Sequence, residues 1–307
     1  MPRVDKGELR DGAGCNISVV IPAYNYARYL SDAVKSVVNQ SGNWDLTVID
    51  DGSTDSTKEV VAALADEYPD KFTYIYQDNR GLAATRNRAV ALTKGDYLLF
   101  LDADDWLCDG AIEKLNRTLA RAGRPAMAIC DYYSVDSGNA RLRKNQALPA
   151  TLEGRVEGYL FKKAVNIASG ATVIRRDVLE TIGFPENLSS TEDLPFYAGL
   201  LASYRDVVLL QEPVANIRKH GDRMRLDVNR MEQAAPFLND EILRRLPPMY
   251  QRWRRRLEAR HFLSMSRLNY MAGNKAKARK YYWCAVKASP RSLFKFSYLK
   301  KMLKSII

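Results

Sequence analysis

The run Tyr97-Leu98-Leu99-Phe100-Leu101, opened by Gly95 and closed by Asp102-Ala103-Asp104-Asp105, admits few folds. An apolar stretch bounded by a glycine and by acids reads as a strand buried on both faces, the habit of parallel sheets. Such strands end at the edge where open α/β sheets bind ligands. Three carboxylates within four residues repel one another unless a cation or hydrogen-bond donors compensate, so a hard metal bridging to phosphate oxygens suits them. The same residues also read as an acidic, solvated turn before a helix beginning at Asp109.

Three further runs of this kind precede it. Residues 17–22 read as a first strand, followed by Tyr24-Asn25 and a helical pattern over 29–38. Residues 46–49 form a second strand ending in Asp50-Asp51-Gly52-Ser53-Thr54-Asp55, before a helix over 56–68. Gly52 permits a sharp turn there, and Ser53 or Asp55 caps the helix. Residues 72–77 make a third strand and 81–93 a third helix. Strands alternating with helices of this size predict an α/β fold, a Rossmann-like, doubly wound, mainly parallel sheet with right-handed crossovers.

Four loops then share one edge: 23–25, 50–55, 79–87 and 102–105. They hold the parts of a nucleotide and metal site. Tyr24 offers a ring for a base to stack on, Asp50 or Asp51 accepts from a ring N–H or a ribose hydroxyl, and Arg86 meets an acceptor oxygen. Each also has a plainer role: Asp50 capping its loop, Tyr24 filling the core, Arg86 pairing with a neighbouring acid.

The series Val20-Ile21-Pro22-Ala23-Tyr24-Asn25, Asp50 to Asp55, Gly81-Leu82-Ala83-Ala84-Thr85-Arg86-Asn87 and Asp102-Ala103-Asp104-Asp105 resembles the inverting glycosyltransferases of family 2, which have the GT-A fold. The resemblance covers roughly residues 17–220. It implies a nucleotide-sugar site, most often for a UDP-sugar, in which Pro22, Ala23, Tyr24, Asn25, Asp50, Asp51, Arg86, Asp102 and Ala103 bind the nucleotide. Asp102 and Asp104 match the family's DxD pair, with Asp104 on a divalent cation, Mn²⁺ or Mg²⁺. Ser169, Gly170 and Glu192 would lie beside the donor sugar, although small residues at 169–171 equally suit tight strand packing. Asp193 matches the general base, a carboxylate able to deprotonate the attacking hydroxyl; alone, Thr191-Glu192-Asp193 is an acidic helix start. His220 matches a late histidine that completes the metal or diphosphate site. Thr85 stands where the family usually has alanine.

Charge divides the chain. Of 47 Lys and Arg, 18 lie from Glu241 onward, with only two of the 36 Asp and Glu, so a mildly acidic body carries a basic tail. The expected layout is an N-terminal tail (1–15), a catalytic domain (16–235) and a basic helical extension (236–307). Within the extension, Gly273, Ala278, Tyr282, Ala285 and Pro290 follow the spacing of one tetratricopeptide-like hairpin, which cannot bury its face alone. It needs the catalytic domain or a second subunit, which leaves a homo-oligomer open. Residues 291–307 alternate lysines with Leu293, Phe294, Phe296, Leu299, Met302, Leu303, Ile306 and Ile307, a pattern suited to an anionic membrane surface.

The four cysteines show no CxxC spacing, which speaks for a reducing compartment and against zinc. No apolar run reaches the ~18 residues of a membrane span, and residues 1–14 lack a signal-peptide core. The expectation is a cytoplasmic enzyme, peripheral to the inner face of the cell membrane. It would transfer sugar to a saccharide acceptor, lipid-linked in the family's surface-polysaccharide pathways (O-antigen, capsule, exopolysaccharide). A nucleotidyltransferase would need an early Gly-rich, basic loop, which 21–28 does not offer. A nucleic-acid-binding protein would need a basic groove interleaved with aromatics, which the acid-rich body lacks.

Overall fold

The computed structural model describes residues 15–188, 190–220 and 228–304. Residues 1–14 of the expected tail, and Ile306 and Ile307 of the amphipathic segment, lie outside the described residues. The early apolar runs form β1 (Ile17–Ala23), β2 (Trp44–Asp51), β3 (Thr73–Gln77) and β4 (Tyr97–Phe100), parallel and in the order β3-β2-β1-β4. The crossovers are α1 (Ala27–Val38), α2 (Thr57–Glu67) and α3 (Leu82–Leu92). In α1 the buried Leu30, Ala33, Val34 and Val37 recur at helical spacing, so one stripe of the helix covers the sheet. Along β4 and the residue after it, Tyr97, Leu99 and Leu101 enter one core with Ile17, Val19 and Ile21, while Leu98 and Phe100 enter the other with Phe184 and Phe196. The sheet is thus buried on both faces, which is why its strands read as unbroken apolar runs.

Beyond β4 the sheet becomes mixed. The chain continues through β5 (Trp106–Leu107), α4 (Ala111–Arg121), β6 (Met127–Asp136), β7 (Asn139–Arg143) and α5 (Leu152–Glu157), which runs into a π-turn at Gly158–Lys162. A 3₁₀ turn at Ser169–Ala171 leads to β8 (Thr172–Arg175), α6 (Arg176–Thr181), α7 (Asp193–Ser203) and β9 (Val207–Lys219). β8 lies antiparallel between β4 and β6, and β9 runs parallel to β6 before its far end pairs antiparallel with β5. The described residues thus form one nine-stranded α/β sheet whose first four strands are parallel, as the alternating pattern predicts. Only residues 207–210 of β9 are an unbroken apolar run, yet the strand has 13 residues. Exposed Gln211-Glu212 and an irregular register around Cys130 and Asp131 interrupt its apolar signal without ending the strand.

The C-terminal part comprises α8 (Val228–Arg245), α9 (Arg254–Met271), α10 (Lys275–Ala288) and α11 (Phe296–Lys304). The expected boundary at 235/236 falls inside α8. Leu238, Ile242 and Leu243 of that helix, with Tyr250, Trp253 and Leu257, share a core with Phe184 and Phe196. Apolar continuity therefore joins the start of the extension to the catalytic body. α9 and α10 form the expected hairpin, turning at Gly273 (φ +80°), with Ala278, Tyr282 and Ala285 buried. The hairpin packs on its own chain, where Lys277 and Tyr281 meet Glu232 of α8. α11 divides its apolar residues: Met302 is buried against Leu263, Tyr282 and Ala285, while Phe296, 76% exposed, and Leu303 face outward, as does Phe294, 72% exposed, in the turn before the helix.

Candidate active site

The four parallel strands deliver their loops to one edge, and Arg86 ties that edge together. Its Nη2 donates to Asp102 Oδ1 at 2.8 Å and its Nη1 to Glu192 Oε1 at 2.9 Å, while its guanidinium lies over the Phe184 ring. At 2% exposure it is a buried cation with two carboxylates. The pairing reading of Arg86 therefore holds, and its partners belong to two of the expected site motifs. Burial raises the Glu192 carboxyl above its ordinary value, Arg86 opposes that rise, and Asp193 adds to it. Thr191, immediately before, is in the left-handed region (φ 63°), a strained conformation for a β-branched residue. It turns the chain so that α7 opens on Glu192 and Asp193.

The acidic tetrad is a built loop rather than a solvated turn. Ligand oxygens of Asp102, Asp104 and Asp105 all lie within 4.8 Å of one another. Asp105 is buried, and its Oδ1 accepts from the Arg218 backbone N–H at 2.7 Å. Arg218 also donates through Nε to the Asp104 carbonyl and through Nη2 to Asp32, with its guanidinium against Tyr29 and Trp106. His220 Nε2 lies 2.6 Å from Asp104 Oδ2, and its buried Nδ1 has no partner among the described residues. The rings of Tyr26 and Tyr29 flank it. Burial and the charge of Asp102 push the Asp104 carboxyl up, against the pull of His220. A crowded set of hard oxygen donors beside an imidazole, with one carboxyl short of positive charge, fits Mg²⁺ or Mn²⁺. The spacing of the acids and His220 was legible in sequence; Arg218 was not singled out, though it lies two residues before His220, near the end of β9.

The remaining site residues fall into two groups. Tyr24 is 41% exposed at the edge, so it is no core residue and its ring is open to stacking. Asn25 sits at φ 58° and its Oδ1 accepts from the N–H groups of Thr54 and Asp55, holding the first two loops together. Pro22 and Ala23 are buried at the end of β1. Asp50 accepts from Ser53 N–H and the Tyr74 hydroxyl, and Asp51 from Gln77 and the backbone of Arg80 and Gly81. Both are under 5% exposed, so in this structure they fasten loops rather than face a ligand. Thr85 accepts from Gln77 Nε2 and donates to Gly81 O, adding a tie that alanine lacks. Gly170 packs closely, since a Cβ there would stand 3.0 Å from Leu101 Cδ1 and that side chain would have to give way. Ser169 hydrogen-bonds to Tyr197. Ala103 is buried between the acids.

Comparisons with known proteins bear on the family and the fold. Over 66% of this chain and 61% of its own length, EpsH of Bacillus subtilis, a protein named as a glycosyltransferase, is 27% identical. GgaB of the same organism, named as a minor teichoic acid biosynthesis protein, is 26% identical over 67% of this chain and 23% of itself. The chain thus spans less than two thirds of either relative. The structure of S. aureus TarS 1-349 in complex with UDP superposes with a TM-score of 0.59, covering 93% of this chain and 91% of that one at 18% identity. A mannosyltransferase from Pyrobaculum calidifontis, solved with GDP-Man and Mn²⁺, gives 0.59 over 96% and 85% at 16% identity. These likenesses establish the GT-A fold. The model of glycosyl transferase family 2 matches residues 18–183, more than half of the chain, and the protein belongs to that family.

Proposed function

We propose that this chain is a divalent-cation-dependent, inverting glycosyltransferase that moves a sugar from a UDP-sugar onto a hydroxyl of a saccharide acceptor. The observation that carries the reading is the bridge of Arg86 between Asp102 and Glu192, which draws the acid loop and the Glu192-Asp193 pair to one edge. Glu192 is committed to Arg86, and base chemistry is assigned to its neighbour Asp193, an acid in the first turn of α7 beside that pair. In the transfer, Asp193 takes the proton from the acceptor hydroxyl as its oxygen bonds to the anomeric carbon, and UDP leaves from the opposite face with the bonding electrons. Tyr24 stacks on the base, and the loops fastened by Asn25, Asp50 and Asp51 shape its pocket. A bound Mg²⁺ or Mn²⁺, held by Asp102, Asp104 and Asp105 with His220 alongside, would supply charge neutralisation for the diphosphate. UDP as the donor nucleotide is supported by the TarS complex with UDP, and manganese by the mannosyltransferase complex. Release of UDP from UDP-sugars with Mn²⁺ or Mg²⁺ tests the reading. Asp104→Ala should abolish it and weaken metal-dependent UDP binding, and turnover unchanged in excess EDTA would overturn the metal assignment.

The acceptor side belongs to the same proposal. GgaB, named for teichoic acid biosynthesis, supports surface-polysaccharide assembly, and a lipid-linked acceptor at the cytoplasmic membrane face is part of the proposal. No helix among the described residues is long and apolar enough to cross a membrane. Contact would come instead from Leu293, Phe294, Phe296 and Leu303, exposed beside Arg291, Lys295 and Lys300. Each basic residue near an anionic surface contributes about 1 kcal/mol, and a fully buried aromatic about 1.5–3 kcal/mol. The double change Phe294→Ser and Phe296→Ser should therefore cut co-sedimentation with anionic vesicles at least tenfold while thermal unfolding stays as in wild type. Vesicle binding that survives both changes would refute the anchor.

A further inference from the structure

Arg218 grips the acid loop while its charge is matched elsewhere. Trp106 of β5 pairs with Asn216 of β9, so two residues further along β9 Arg218 comes level with Asp104. On the other side of the strand Arg218 pairs with Val135 of β6, which fixes its backbone in the sheet. From there its backbone N–H donates to Asp105 Oδ1 at 2.7 Å and its Nε to the Asp104 carbonyl at 2.9 Å. Its Nη2 donates at 2.7 Å to Asp32, an exposed acid of α1 that lies outside the loop. The guanidinium carbon lies 4.8 Å from the centre of the Tyr29 ring and 4.6 Å from that of Trp106, so the side chain is held on its faces as well as at its fork.

The contrast with Arg86 is informative. Arg86 gives its nitrogens to carboxylates of the site itself, Asp102 and Glu192. The Arg218 side chain takes a backbone carbonyl and a carboxylate on another helix, which leaves the Asp104 carboxylate to His220. A bare positive charge at this place would repel a cation bound by the loop, and Asp32 offsets that repulsion. We propose that Arg218 is a positioning residue for the divalent cation: it orders the backbone at Asp104, Asp32 neutralises it, and the pair together raises the affinity of the loop for Mg²⁺ or Mn²⁺. This deepens the glycosyltransferase reading and rests on residues 102–105 holding the cation.

The test is Mn²⁺ titrated into the full chain with UDP saturating, the free ion being read by its EPR signal, with thermal unfolding measured on every variant. Arg218→Lys keeps the charge and the backbone bond to Asp105, but a lysine has no fork to reach the Asp104 carbonyl and Asp32 together. It should weaken Mn²⁺ binding about ten- to a hundredfold, the usual cost of losing a partner that orients a metal ligand. Arg218→Gln should weaken binding as well, although a positive charge has gone. Asp32→Asn should weaken it about two- to fivefold, the scale of an exposed ion pair, and should add nothing in the Arg218→Lys chain. In UDP release, Arg218→Lys should need more Mn²⁺ and recover its kcat once the ion saturates, a split that a general loss of structure would not give. Arg218→Gln binding Mn²⁺ more tightly than wild type, or Arg218→Lys binding it equally well, overturns the proposal, because the arginine would then act through its charge alone. A kcat that stays low at saturating Mn²⁺ overturns it too. Should Arg218→Lys fail to fold, Asp32→Asn decides, since wild-type Mn²⁺ affinity in that surface variant shows that the anchored guanidinium does not matter to the ion. A wild-type chain that binds no Mn²⁺ overturns the cation reading itself and this proposal with it, an outcome distinct from the others.

Discussion

Asp193→Asn lowers the transfer rate by about 10²- to 10⁴-fold and leaves UDP-sugar affinity close to wild type, the expected signature of a lost general base. Asparagine has nearly the same shape, so the start of α7 and the neighbouring Arg86–Glu192 pair are undisturbed. It cannot accept a proton. The loss therefore falls on kcat for transfer, and KM for the donor stays level. Steady-state kinetics with a competent acceptor, alongside titration calorimetry with UDP, separates the two quantities. An equal loss of rate and donor binding would make Asp193 a structural residue of the loop.

Arg86→Met removes about 3–5 kcal/mol of stability, because it leaves two carboxylates where one buried cation had held both. The deficit depends on pH. In the wild-type fold the Glu192 carboxyl is already raised by burial, so its contribution to stability falls as pH rises through its folded value. Arg86 is the neighbour that holds that value down. Without it the carboxyl rises further, so urea unfolding should show a larger deficit at pH 8 than at pH 5.5, and Glu192→Gln in the same chain should restore part of the loss. A deficit that is flat with pH, or unrelieved by Glu192→Gln, would mean that the ion pair does not carry the stability of this edge.

The parallel half of the sheet was legible because its strands are buried on both faces, which leaves runs such as 17–22 and 97–101 without polar interruption. The motif residues were legible for a related reason: each sits where such a run stops. What spacing could not convey is which residues face a ligand and which hold the loops. Asp50 and Asp51 look like ligand acceptors in sequence, yet they spend their oxygens on Tyr74, Gln77 and backbone N–H groups. Gly170 looks permissive for a sugar, and its surroundings add a packing reason, the closeness of the Leu101 side chain. Arg218 escaped notice because Asp105, Asp104 and Asp32, which it meets, are more than 100 residues away along the chain, and a lone arginine on a strand has no local pattern. The boundary at 235/236 rested on charge, whereas the core runs straight through α8 by apolar contact.

The long reach of β9 also sets an order of assembly. The acid loop at 102–105 is finished by Arg218 and His220, which lie 113 and 116 residues later than the groups they touch. At about 5–20 residues per second, a ribosome needs about 6 to 23 s to supply them after Asp104. Through that interval the β3-β2-β1-β4 half has every crossover it needs, while its cluster of carboxylates still lacks the arginine and the imidazole that hold it. The nascent chain thus has the parallel half of its sheet before its acid loop is held, and the latest-made strand of the sheet is the one that completes that loop.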